Sequence, residues 1–215
     1  MKGILGKKIG MMQVFDDTGR RLPLSVIKAT PGVVVRIKTV ETDGYAAVQV
    51  GFDSCDLKKL NRPEAGVFKK TLQTKTGYRT LKEFRVDNPE EYKVGQEIKV
   101  DQFAPGDKVD VRGRTIGKGF AGTIKKYHFG RGPMTHGSKN KREPGSIGMS
   151  ATPSRVHKGK KLPGHMGAVN RTVQRITVYK VDGEKNLLFL IGGVPGSRNA
   201  TVTIQETAKK KRIAG

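Results

Sequence analysis

Apolar residues fall at every second position, or in short β-branched runs, along most of the chain. A first run opens with "KGILGKKIG". It is followed by "LPLSVIKA" (22–29), "VVVRIKTV" (33–40) and "YAAVQVGF" (45–52), and the pattern resumes in "EIKVDQF" (97–103) and "DKVDVRGRTI" (107–116). Such alternation sets one face of a strand against a core and the other against water. Near the C-terminus, "VQRITVYKV" (173–181), "DGEKN" and "LLFLIG" (187–192) read as strand, turn and strand, and "ATVTIQET" (200–207) as a last strand. "DDTG" (16–19) has the composition of a turn between the first two runs. The stretch "RPEAGVFKKT" (62–71) predicts a short helix, because Pro and Glu stand in its first turn, although Gly66 weakens it. Many short strands between turn signals predict a mainly β chain, a barrel or a sandwich. The interruption at 55–95 predicts a small mixed α/β lobe.

Between Arg112 and Arg171 the alternation stops and the chemistry changes. This segment holds 14 Lys/Arg and one acid, Glu143, a net of 14 − 1 = +13, while the remainder carries 28 basic and 18 acidic residues, a net of +10. It also holds 12 of the 28 glycines and all four histidines, His128, His136, His157 and His165. A charge run is ordinarily a solvated face or a tail. This one is internal and punctuated by "GRGPMTHG", "REPGSIG", "ATPSR" and "LPGHMG", which is the composition of a shaped loop. Ordering the roughly 40 residues from Lys125 to His165 costs on the order of 40–80 kcal/mol, at ~1–2 kcal/mol per residue. The few apolar groups there cannot offset that. A surrounding polyanion can, through many phosphate contacts with counterion release. The whole chain carries +23 with a pI near 10.3, so nucleic acid is the expected partner and an anionic membrane the second candidate.

Other chemistries find little support. "GKGFAG" (117–122) matches G-x-G-x-x-G, but the following "TIKKYHFGRGP" breaks before it can form the helix that a dinucleotide pyrophosphate requires. "GRTIGKG" (113–119) is one residue short of a P-loop, and Gly119 replaces the hydroxyl that would hold magnesium. The four histidines lack carboxylate or thiolate companions and sit in a strongly positive field, so no metal and no cofactor is expected. In such a run an imidazole is better placed to touch a phosphate or stack on a base. Cys55 has no histidine near it in sequence, and no nucleophile–base or paired-carboxylate constellation suggests a reaction. One cysteine, no signal-peptide pattern in "MKGILGKKIGMMQVFDD" and no long apolar segment lead to the expectation of a soluble cytoplasmic protein.

At the edges of the basic segment, Phe103, Asp110, Gly113, Thr115, Gly117, Lys118, Gly119, Gly122 and Lys126 fall at the spacing of a known signature. Together with "KGILGKKIGMMQVFD", "HGSKNKREPGSIG", "KGKKLPGHMG" and "NLLFLIGGVPG", they make the chain resemble the bacterial large-subunit ribosomal protein L three family over almost its full length. The resemblance implies a translation-factor-like β-barrel, a small mixed lobe, and a long extension that runs through 23S rRNA towards the peptidyl transferase centre. It implies a primary rRNA binder that nucleates 50S assembly, contacts neighbouring ribosomal proteins and is not an enzyme. Met12 stands where a threonine is common. Met149 stands where some members carry a glutamine methylated on its side-chain amide, so no such methylation is expected here.

The expected division is a barrel body from 1–54, 96–124 and 166–208, a lobe at 55–95, an rRNA-penetrating loop at 125–165 and a basic tail at 209–215. The residues expected to contact rRNA are Lys118, Lys125, Lys126, Arg131, His136, Lys139, Lys141, Arg142, Ser146, Met149, Arg155, His157, Lys158, Lys160, Lys161 and Arg171. Gly145, Gly148 and Gly164 are expected to let the backbone pass close to RNA. No DNA, no membrane and no homo-oligomer is expected. A nucleotide-dependent reductase on a β-barrel, or a DNA- or membrane-binding accessory protein, are the rival readings.

Overall fold

The computed structural model describes residues 2–208, so the expected tail at 209–215 lies outside the described residues. The chain divides into two compact units. One comprises the residues up to Arg114 together with those from Asn170 onward, and the other is Thr115–Val169. In chain order the first unit holds β1 (Gly3–Phe15), β2 (Arg21–Ala29), β3 (Gly32–Lys38), α1 (Val40–Asp43), β4 (Ala47–Asp56), α2 (Arg62–Thr71), β5 (Thr76–Arg85), β6 (Glu97–Ile98) and β7 (Lys108–Arg114). The second holds β8 (Phe120–Ala121), α3 (Thr123–Tyr127) and β9 (Gly164–His165). The chain then returns to the first unit with β10 (Asn170–Asp182), β11 (Leu187–Ile191) and β12 (Thr201–Glu206).

The chain is mainly β, as its alternation predicts. Six strands close into an antiparallel barrel in the order β1-β12-β7-β10-β11-β2. Its inward residues meet across the ladders: Ile4 opposite Ile204, Ile204 opposite Val111, Val109 opposite Ile176, Val178 opposite Leu190, and Leu188 opposite Ile27. All are buried, and closure leaves none of these strands with an open edge. The "DDTG" turn joins β1 to β2, with Gly19 at φ +74 and its amide bonded to the Asp16 carbonyl at 2.8 Å. One irregularity has a visible cause. In β10 the register shifts between Val173 and Ile176, Arg175 sits at φ +58, and its amide donates to the Asp110 carboxylate at 2.9 Å. That bond gives Asp110, one of the signature residues and almost fully buried, a partner at a β-bulge.

The second sheet has the order β5-β4-β3-β6. Here the structure differs from the expected division: β3 and β4, expected in the barrel, pair instead with β5 and β6. Alternation reports that a strand has a buried face, not which sheet buries it. The apolar face of this sheet, with Val48 opposite Phe84 and Phe52 in edge-to-face contact with Phe84 at 6.4 Å, joins the barrel residues in one continuous core. Gly3 of β1 lies directly against it: a Cβ there would stand 2.5 Å from the Phe84 ring. The predicted helix forms as α2, with Pro63 in its first turn and Ala65 and Phe68 buried. The predicted strand 97–103 is extended only over Glu97–Ile98. Val100–Gln102 forms a 3-10 turn that brings Val100 and Phe103, three residues apart, onto the core.

Candidate nucleic-acid interface

The Thr115–Val169 unit begins as a ladder. The amide of Thr115 donates to the Val169 carbonyl at 2.9 Å, that of Lys118 to Met166 at 2.9 Å, and that of Met166 to Gly119 at 2.9 Å. β8 and β9 then pair, Phe120 opposite His165 and Ala121 opposite Gly164. The residues 115–124 and 166–169, expected to belong to the barrel, are therefore the base of this unit. Glycine is required at Gly167, where φ is +77 and a Cβ would overlap the Ile116 carbonyl. Gly122 precedes α3, a single turn that ends at His128 in the left-handed region (φ 59). A helix of five residues does not supply the long dipole that a dinucleotide loop uses.

Beyond α3 the chain runs through turns rather than regular elements until β9. The amide of Gly132 reaches the Lys141 carbonyl at 3.2 Å, that of Ser138 reaches Thr135 at 3.3 Å, and that of Lys160 reaches His157 at 3.3 Å. The Ser146 hydroxyl donates to the Gly148 carbonyl at 3.0 Å. Gly145 is at φ +77 with open space around it, whereas Gly164 has a reason inside the protein: a Cβ there would be 3.0 Å from Lys126 Nζ. Only Ala121 and Thr123 of this unit are buried. From Lys139 to Thr152 every residue is exposed.

Fifteen of the sixteen residues expected to contact rRNA lie in this unit, all exposed except the half-buried Lys126, while Arg171 is exposed on β10. The ion pairs among the described residues are Lys2–Asp107, Lys7–Asp53, Arg36–Asp43, Lys38–Glu83 and Lys99–Glu97, all in the other unit. The shifted titrations lie there too: hydrogen bonds hold Glu83 and Asp107 below their ordinary values and Lys38 above its own. Within Thr115–Val169, eleven Lys/Arg face a single acid, Glu143, and make no ion pair among the described residues. No group of three or more His, Cys, Asp or Glu is arranged to hold a metal ion among the described residues.

Sequence reasoning, which followed charge, missed the aromatics of this unit. Tyr127 lies 6.3 Å from Phe129 between ring centroids, with Lys126 Nζ 5.1 Å and Lys161 Nζ 6.0 Å from its own centroid. Lys126 and Lys161 come from the outgoing and returning limbs, so Tyr127 links them. An aromatic interleaved with lysines ("KKYHF") was the signal available.

Fold and site define the class first: a closed β-barrel protein with an inserted, almost coreless segment whose cations make no ion pair among the described residues. The family described as "Ribosomal protein L3" matches over residues 72–188. Over 210 residues the chain is 52% identical to the "Large ribosomal subunit protein uL3" of Pelotomaculum thermopropionicum, covering 98% of this chain and 99% of that one. Over 211 residues it is 53% identical to the protein of the same name from Lysinibacillus sphaericus, again covering 98% and 99%. The chain belongs to the ribosomal protein L3 family, which is structural and non-enzymatic.

Proposed function

We propose that this chain binds 23S rRNA, nucleates assembly of the large subunit and sends the arm at 125–165 towards the peptidyl transferase centre. As a member of its family it is a structural constituent of the large ribosomal subunit in the cytoplasm and not an enzyme. The observation that carries the RNA reading is the Thr115–Val169 unit itself: eleven cations with no carboxylate partner among the described residues, on a backbone that buries only two side chains. Such a segment lacks the core to compensate its own ordering, and a phosphate backbone supplies what is missing. Lys118, Lys125, Lys126, Arg131, Lys139, Lys141, Arg142, Arg155, Lys158, Lys160, Lys161 and Arg171 contact phosphates. Ser146 and Met149 pack against nucleotides, and His136 and His157 meet phosphate or base. Neighbouring ribosomal proteins are further partners; DNA, membrane and a second copy of the chain are not. Chemical footprinting of protein-free large-subunit rRNA with the full chain tests this. Protection of defined nucleotides, reduced when residues 131–158 are deleted, is expected. Equal reactivity with and without the protein would overturn the reading.

A further inference from the structure

The β8–β9 ladder places its side chains the wrong way round for a protein core. Ala121 is 4% exposed, while its neighbour Phe120 is 79% exposed, the most exposed large apolar side chain among the described residues. A phenylalanine gains far more from burial than an alanine. Phe120 stands directly opposite His165, which is also exposed, and cross-strand partners leave a ladder on the same face. The other face is closed by Ala121 and by the Lys126 ammonium, which lies over Gly164. The open face therefore carries two rings side by side at the base of an arm whose eleven Lys/Arg face one acid, Glu143, and make no ion pair among the described residues.

We propose that Phe120 and His165 form a stacking platform for an unpaired nucleobase of the RNA that the arm binds. The inference rests on the RNA reading above and adds to it a contact that does not depend on charge. The occupant follows from its surroundings. A phosphate backbone drawn to the exposed Lys118, two residues before Phe120, brings bases to the same place, and every base has a π-face that an aromatic ring can cover. A duplex keeps its bases stacked on one another, so the base concerned is a bulged or single-stranded one.

The chain contains no tryptophan, so F120W introduces a single tryptophan, excited selectively over the five tyrosines, at the platform. Its emission, and the affinities of the full-length parent, F120W and F120L, are measured with protein-free large-subunit rRNA and with heparin, a polyanion without bases. F120L is expected to bind the rRNA about fivefold to a hundredfold more weakly than the parent. It should bind heparin equally well and melt at the parent temperature, and the F120W emission should be quenched by rRNA and not by heparin. Parent-like rRNA affinity in F120L, or F120W emission indifferent to rRNA, overturns the platform while leaving the RNA reading intact. So does an equal loss of heparin and rRNA binding in F120L, which would make Phe120 a structural residue. Absence of rRNA binding by the parent itself overturns both.

Discussion

Lys38, Tyr45 and Glu83 close a ring of hydrogen bonds on the second sheet. Lys38 Nζ lies 2.8 Å from Glu83 Oε1 and donates to the Tyr45 hydroxyl at 2.7 Å, and that hydroxyl donates to Glu83 Oε2 at 2.7 Å. The Lys38 hydrogen bond, then that of Tyr45, holds the Glu83 carboxyl below its ordinary value of 4.5. A carboxyl whose pKa is depressed by folding contributes stability above its unfolded value, and that contribution is lost as pH falls through the folded value. E83Q is thus expected to lower Tm by up to a few degrees at pH 7, a modest effect because the pair is partly solvated. The gap between variant and parent should close as the pH falls below about 4.5, where the parent carboxyl protonates. Thermal melts across that range check it; a gap that persists or widens in acid would mean the ring contributes nothing electrostatic. Individual residues were unevenly legible in the sequence. The cations of the arm announced themselves by number, because one acid cannot neutralise eleven bases. Phe120 did not, because a single aromatic beside an alanine carries no period from which exposure could be inferred.

The elements were legible wherever a period ran long enough. β2, β7, β11 and β12 fall within two residues of their expected bounds, and α2 coincides with 62–71. Grouping strands into sheets was not legible: β3 and β4 alternate as barrel strands do, and only their pairing with β5 and β6 separates them. The hydrogen-bond partner of a strand is a long-range fact that its own pattern does not encode. α2 carries a prediction of its own. Gly66 lies inside this helix, is exposed, and a Cβ there would meet nothing within 4 Å. Glycine there costs backbone entropy that alanine does not, so G66A is expected to stabilise the protein by about 0.5–1 kcal/mol, raising Tm by roughly 1–4 °C. A fall in Tm would mean that Gly66 is not in a relaxed helical conformation.

At the scale of the molecule, charge and core are divided between the two units. The continuous core, the ion pairs and the shifted carboxyls belong to the barrel and second sheet, while the Thr115–Val169 unit holds eleven bases, one acid and two buried side chains. One unit supplies its own stability; the other displays charge. If the arm binds RNA by releasing counterions, its lysines must appear in the salt dependence of binding. The most direct measurement is the affinity of the full chain for protein-free large-subunit rRNA over a range of salt, compared with a variant carrying K158Q, K160Q and K161Q. The parent should show log K falling steeply with log salt. The variant should show a slope shallower by ~0.7–0.9 for each phosphate it no longer neutralises, roughly two to three units for the three lysines together. A variant with the slope of the parent would place these three lysines in solvent and contradict the account.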